Sequence, residues 1–169
     1  VLENSYGAMN IAFIVEWTRF AEEAGVDIYE VVNAIRKRPT HANLMYPGIG
    51  VGGYCLTKDP LLASWARRNI FGANAGLDQS ETAVSINDQM PRFAYEYLQR
   101  ACPGDLRGTT VLLLGVAYRG DVGDTRYTPV APFFDLLIAD GATVLLHDTH
   151  VRFWRSEEHT SELQSPCNL

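Results

Sequence analysis

This chain has little with which to meet a polyanion, a bilayer or an oxidising exterior. Its 14 lysines and arginines are outnumbered by 20 aspartates and glutamates, for a net charge of −6. It lacks the basic face and high pI of a nucleic-acid binder, so any phosphate contact has to be local. No apolar run approaches the roughly 20 residues that a membrane-spanning helix needs. Three cysteines are too few and too scattered for a disulfide framework, which makes a reducing cytoplasm the default compartment. His41, His147 and His150 stand at no metal-ligand spacing, and no metal is expected.

Natural end signals are also missing. VLENSYGAMN has neither an initiator Met nor the basic-then-apolar layout of a leader, and the chain is expected to be an internal fragment. At the other end RSEEHTSELQSPCNL, residues 155–169, has no hydrophobic periodicity. It resembles the in-frame translation of a sequencing-library adapter and is set aside as a non-native tail. Residues 1–154 keep 13 basic and 17 acidic residues and two cysteines, Cys55 and Cys102. With 47% hydrophobic residues overall, the chain can bury one core, or one domain and part of another.

What is present divides by periodicity. Leu2, Tyr6, Met9, Phe13, Trp17, Phe20 and Ala24 recur at steps of three and four, which predicts a helix stopped by Gly25. Trp17, Phe20 and Trp65 at such spacing are expected in a core or a subunit interface. Asp27 with Glu30 makes a capping-box-like start for a second helix, ended by Pro39. Residues 39–54, with two prolines and four glycines, are expected to hold no regular structure. A third helix is predicted from an Asp59 N-cap with Pro60 in its first turn. A fourth covers about 79–100, with a kink or restart at Pro91. Beyond Cys102, which abuts a Pro-Gly breaker and is expected to be structural, the pattern changes. TTVLLLGV, 109–116, is a continuous apolar run of the kind buried on both faces of a sheet. An apolar helix, 129–139, and a second such strand, ATVLLHD, complete a β-α-β unit. The predicted fold class is α/β: an all-helical central domain, 1–102, then a partial Rossmann-like parallel domain, 103–154.

The chemistry concentrates in PGIGVGGYCLTKDP. Four glycines, Gly48, Gly50, Gly52 and Gly53, permit positive φ and close approach of backbone N–H groups to a ligand. A thiol, an ammonium and a carboxylate follow at Cys55, Lys58 and Asp59. A helix starting here, together with Lys58, supports a nucleophilic sulfur, and Asp59 one turn on can handle protons. A lone cysteine beside glycines is most often a small buried residue.

GVGGYCLTKDP resembles the glycine–cysteine–aspartate signature of the UDP-glucose and GDP-mannose dehydrogenase family. LENSYGAMNIAFIVE resembles the start of that family's central helix, and GVAYRGDVGDTRYTP with GATVLLHDTHV resembles the opening of its UDP-binding domain. The resemblance implies an NAD-dependent, four-electron oxidation of a nucleotide sugar to a uronic acid, with UDP-glucose or a UDP-N-acetylhexosamine as substrate. By it, Cys55 attacks the aldehyde and carries a thiohemiacetal and then a thioester. Asn4 stabilises the oxyanion, and Asp59 orients or activates water. Tyr46 to Gly52, with Gly48 and Gly50, wrap the nucleotide sugar. Tyr118 and Arg119, where the family has lysine, contact it from the second domain, and Lys58 and Arg126 lie near NAD. It further implies a cytoplasmic homodimer formed through the first helix, a catalytic lysine one residue before Val1, and a preceding NAD domain without which the fragment is inactive. A non-catalytic nucleotide-sugar-binding or scaffolding relative is the alternative.

Overall fold

The computed structural model describes residues 1–102, 105–156 and 159–162. The chain divides into two compact units: the first takes residues 1–48 and 55–88, the second 49–54 and 89 onward.

In the first unit, α1 (Leu2–Ala24) ends at Gly25 in the left-handed region, φ 68°, whose N–H caps the last turn. Glycine adopts that conformation without a Cβ penalty, as its position predicts. The apolar stripe does not enter the core: Tyr6, Met9, Phe13, Trp17 and Phe20 are all exposed. The buried side carries Ala8, Ala12, Ile14, Val15 and Ala21, and Ala8 and Ala12 pack on Ala83. Small side chains let helix backbones approach closely, so the seam follows the alanines rather than the bulky residues. Buried Asn87 reinforces it by donating to the Ala8 carbonyl at 3.0 Å.

α2 (Ile28–Arg36) is capped by Asp27, whose side chain accepts from the Tyr29 N–H at 2.8 Å. The cap bond goes to the residue before Glu30, the capping-box partner expected. Residues 39–54 are not wholly irregular, since Pro39–His41 form one 3-10 turn. α3 (Asp59–Asn69) has its cap position at Lys58, with Asp59 already in the first turn, one residue from the predicted start. The Asp59 carboxylate bonds side chains instead of capping N–H groups. Trp65 on α3 is exposed rather than core.

α4 (Asp78–Ala101) continues through Pro91 without a restart, and both units draw on it. In the second unit β1 (Thr110–Leu114), α5 (Val130–Ala139) and β2 (Thr143–His147) form the predicted β-α-β unit, its strands parallel with Leu112 opposite Leu145. Val116, Val130, Phe134, Leu146, Val151 and Trp154 make one core cluster, and Tyr95, Leu106, Phe133, Leu137 and Ala142 another. β1 is not buried on both faces. It alternates, and Leu112 and Leu114 are 52% and 75% exposed, because among the described residues the parallel sheet has two strands and this face meets no helix that would cover it. The backbone of β3 (Phe153–Ser156) pairs antiparallel with β4 (His159–Glu162). Strand pairing uses main-chain groups alone, so the polar stretch expected to be unpatterned can still form it. The remainder of that tail lies outside the described residues.

Candidate active site

The candidate residues fall into two groups, one in each unit. In the first, Cys55 is exposed, not the small buried residue that is its commonest alternative. Its carbonyl accepts the N–H groups of Lys58 and Asp59 at 3.3 and 2.9 Å, which fixes the sulfur-bearing residue one turn ahead of α3. Asp59 accepts twice: from Asn4 Nδ2 on Oδ2 at 2.7 Å, and from Lys58 Nζ on Oδ1 at 2.6 Å. The Lys58 bond first, then that of Asn4, holds the Asp59 carboxyl below the ordinary carboxylate range against some burial. The carboxylate is therefore ionised and aimed by an amide and an ammonium. Lys58, expected both near a cofactor and beside the thiol, directs its charge to Asp59. Cys102, expected to be structural, is a free and exposed thiol.

Tyr46 is held by its own neighbours. Its hydroxyl donates to Asn33 at 2.6 Å, its ring stacks on Tyr29 with centroids 6.0 Å apart, and the Arg36 guanidinium lies 4.7 Å from its centroid. Gly48 has open space where a Cβ would be.

In the second unit the glycines are also needed for close packing within the chain. A Cβ on Gly52 would meet the Tyr118 Cβ and lie 2.7 Å from the Tyr127 carbonyl oxygen, and one on Gly50 would run into Pro129. Gly53, φ +77°, would place a Cβ 2.9 Å from the Tyr118 ring, and its N–H donates to the Arg126 carbonyl at 2.9 Å. These glycines admit the protein's own 118–129 loop, where a side chain would not fit. The loop is shaped tightly: Asp121 and Tyr127 adopt positive φ, 59° and 51°, at a cost of about 1–3 kcal/mol each that the surrounding contacts must offset. Tyr54 and Tyr127 face each other with centroids 6.0 Å apart. Arg119 is exposed.

Arg126 forks onto Asp124, with bonds of 3.0, 3.1 and 2.6 Å, and this hydrogen bonding lowers the Asp124 pKa. Lys58 and Arg126, the two residues expected near NAD, thus lie in different units and are each neutralised by a carboxylate. Among the described residues, no three His, Cys, Asp or Glu side chains gather to hold a metal ion.

One residue that sequence reasoning passed over is Asp148, at the end of β2. Its Oδ2 accepts from the Val116 and Ala117 N–H groups at 2.8 and 3.1 Å, and its Oδ1 from His150 and Val151 at 2.8 and 3.0 Å. Burial opposes ionisation, but these backbone donors prevail and hold its pKa below the ordinary value. The available signal was its place, an aspartate closing a buried strand with turn residues after it.

Over 152 residues the chain is 34% identical to the UDP-N-acetyl-D-mannosamine dehydrogenase of Methanocaldococcus jannaschii, covering 90% of this chain and 33% of that protein. A solved NDP-N-acetyl-D-galactosaminuronic acid dehydrogenase from Methanosarcina mazei superposes with a TM-score of 0.77 at 29% identity, over 96% of this chain and 36% of that one. A UDP-glucose dehydrogenase from Pyrobaculum islandicum gives 0.74 at 30% identity, over 88% and 34%. The chain thus spans about a third of the length of the curated relatives it matches. Residues 1–89 match the central domain of the UDP-glucose/GDP-mannose dehydrogenase family and residues 112–168 match its UDP binding domain, in the order and over the elements just described, and the chain belongs to that family.

Proposed function

We propose that this chain is the central part and the start of the nucleotide-binding part of a cytoplasmic, NAD-dependent nucleotide-sugar 6-dehydrogenase. Its substrate is a UDP-sugar, glucose or an N-acetylhexosamine, oxidised to the uronic acid. The observation that carries the reading is an exposed Cys55 one turn before an Asp59 that is bonded to Asn4 at 2.7 Å and to Lys58 at 2.6 Å.

In this mechanism the Cys55 sulfur adds to the aldehyde carbon of the half-oxidised sugar, forming a C–S bond while the carbonyl oxygen takes a proton. The Asn4 amide stabilises the oxygen as its charge develops. After the second oxidation the sulfur is held as a thioester. Asp59, kept anionic by its two donors, orients the water that attacks it and takes its proton, and the acid leaves with the thiol restored. NAD supplies the oxidising power for both hydride removals. Lys58 and Arg126, each paired with a carboxylate, are the residues of this chain that would lie near it.

Residues 103–154 supply the nucleotide contacts, with Tyr118 and Arg119 nearest the substrate, and residues 46–52 wrap the sugar through their backbone. Residues 1–102 carry the catalytic group. By this reading the isolated chain forms no NADH with any UDP-sugar.

Alkylation separates this reading from a merely exposed thiol. Iodoacetamide at neutral pH, followed by peptide mass spectrometry, is expected to modify Cys55 faster than Cys102, and UDP-glucose to slow the reaction at Cys55 alone. Equal rates, indifferent to UDP-glucose, overturn it.

A further inference from the structure

We propose that Asp148 is the positioning residue of the nucleotide-contact loop, the group that fixes the backbone of Val116 and Ala117 and so presents Tyr118 and Arg119 to a nucleoside diphosphate. The inference rests on the assignment of those two residues as nucleotide contacts.

The geometry leaves Asp148 little else to do. A carboxylate has about four lone-pair sites, and four backbone N–H groups at 2.8 to 3.1 Å fill them. Two of the four belong to the turn that leaves β1 and two to the turn that leaves β2. The carboxylate thereby ties together two loops at the carboxyl ends of parallel strands, the edge of an α/β sheet where ligands bind. An acid at such a strand end can take a ribose hydroxyl in other nucleotide-binding units. Here no acceptor capacity remains for one.

The tie acts on the candidate contacts through the chain itself. Gly115, φ +98°, donates to the His147 carbonyl at 2.7 Å, and Val116 and Ala117 are then pinned by Asp148. The next N–H, that of Tyr118, donates to the Asp124 carbonyl at 3.1 Å, and the Tyr118 side chain is pressed by Gly52 and Gly53. Four consecutive N–H groups, from Gly115 to Tyr118, are thus fixed immediately before Arg119. Release of the middle two leaves the pair hinged at one end.

The two oxygens serve different turns, which yields a selective test. In Asp148→Asn the remaining oxygen keeps the local bonds to His150 and Val151, the turn that asparagine makes well. The amide nitrogen then faces the N–H groups of Val116 and Ala117. Calorimetric titration of the whole chain with UDP is expected to show binding about tenfold weaker in this variant, the equivalent of one hydrogen bond to a charged group. Amide exchange is expected to speed up at Val116 and Ala117 and to stay slow at His150 and Val151. Tyr95→Phe, which removes a hydrogen bond at the other end of α5, serves as the control for lost stability and should bind UDP as the unsubstituted chain does. Equal UDP affinity in Asp148→Asn and the unsubstituted chain overturns the inference and leaves the nucleotide assignment standing. A matching loss in Tyr95→Phe overturns it too, since general destabilisation then suffices. Failure of the unsubstituted chain to bind UDP overturns both.

Discussion

Asn4 and Asp59, 55 positions apart in the chain, meet through Nδ2 and Oδ2 at 2.7 Å. The contact joins the first turn of α1 to the first turn of α3. It fixes which carboxylate oxygen is committed to the amide, while Lys58 occupies the other.

That division predicts an order of effects on titration. Both donors depress the Asp59 pKa, Lys58 more than Asn4. Removing Lys58 as Lys58→Met should raise the Asp59 midpoint, followed by carboxyl-carbon NMR, and Asn4→Ala should raise it less. Because the folded pKa is depressed, the stability contributed is present above the unfolded value and lost as pH falls through the folded one. Both variants should therefore shorten the acid limb of the stability profile. An unmoved midpoint in Lys58→Met sinks this account of the pair.

The glycine loop gives a prediction by contrast. Gly52→Ala puts a Cβ against the Tyr118 side chain and the Tyr127 carbonyl, whereas Gly48→Ala meets nothing within 4 Å. In urea unfolding, Gly52→Ala should cost about 1–3 kcal/mol, the usual penalty for overpacking. Gly48→Ala should stay within about 0.5 kcal/mol. Similar losses in the two variants would mean that the 118–129 loop does not depend on the missing side chain.

Tyr95 sets an alkaline limit. Its phenol donates to Asp140, and burial first, then this bond, pushes its pKa from an ordinary 10 up to about 12. A raised folded pKa means that the stabilisation is whole below the unfolded value and disappears as pH climbs through the folded one. Stability should therefore fall between about pH 10 and 12, followed by circular dichroism. Tyr95→Phe should cost about 1–2 kcal/mol at neutral pH, as expected for one hydrogen bond, and flatten that limb. A limb unchanged in Tyr95→Phe assigns the alkaline loss to other groups.

How far the sequence spoke depends on the range of each interaction. Gly25 ending α1 and Asp27 opening α2 are local choices, made by residues within a turn of the event, and both were legible. The α3 start slipped by one residue because Asp59 has two uses, and its preference for Lys58 and Asn4 over capping depends on a partner on another helix. The spacing of the glycines cannot say which side chains approach them, and Tyr118 and Pro129, which do, come from some 70 residues away in the chain. Cys55, Lys58 and Asp59 were legible as a constellation, and Asp148 was not, because a carboxylate bonded only to backbone leaves no partner residue type to search for. Periodicity likewise found the apolar stripe of α1 but gave no reason for it to be exposed.

That exposure is the basis of the last prediction. Tyr6, Met9, Phe13, Trp17 and Phe20 share one side of a 23-residue helix, about 34 Å long. Three of them form an aromatic ladder, Phe13 to Trp17 at 6.2 Å and Trp17 to Phe20 at 5.8 Å. A contiguous apolar strip of this extent is uncommon on a monomer. A second copy related by two-fold symmetry would present an identical strip to it, each helix covering the other. The double variant Phe13→Glu/Trp17→Glu would place two carboxylates at the centre of that seam while leaving the alanine side against α4 untouched. Sedimentation velocity at micromolar concentration should therefore give the mass of two protomers for the unsubstituted chain and of one for the variant, with far-UV circular dichroism unchanged. A monomeric unsubstituted chain would count against the dimer. So would a variant that still sediments as two, since charge in a dry interface of this kind must be desolvated without a partner.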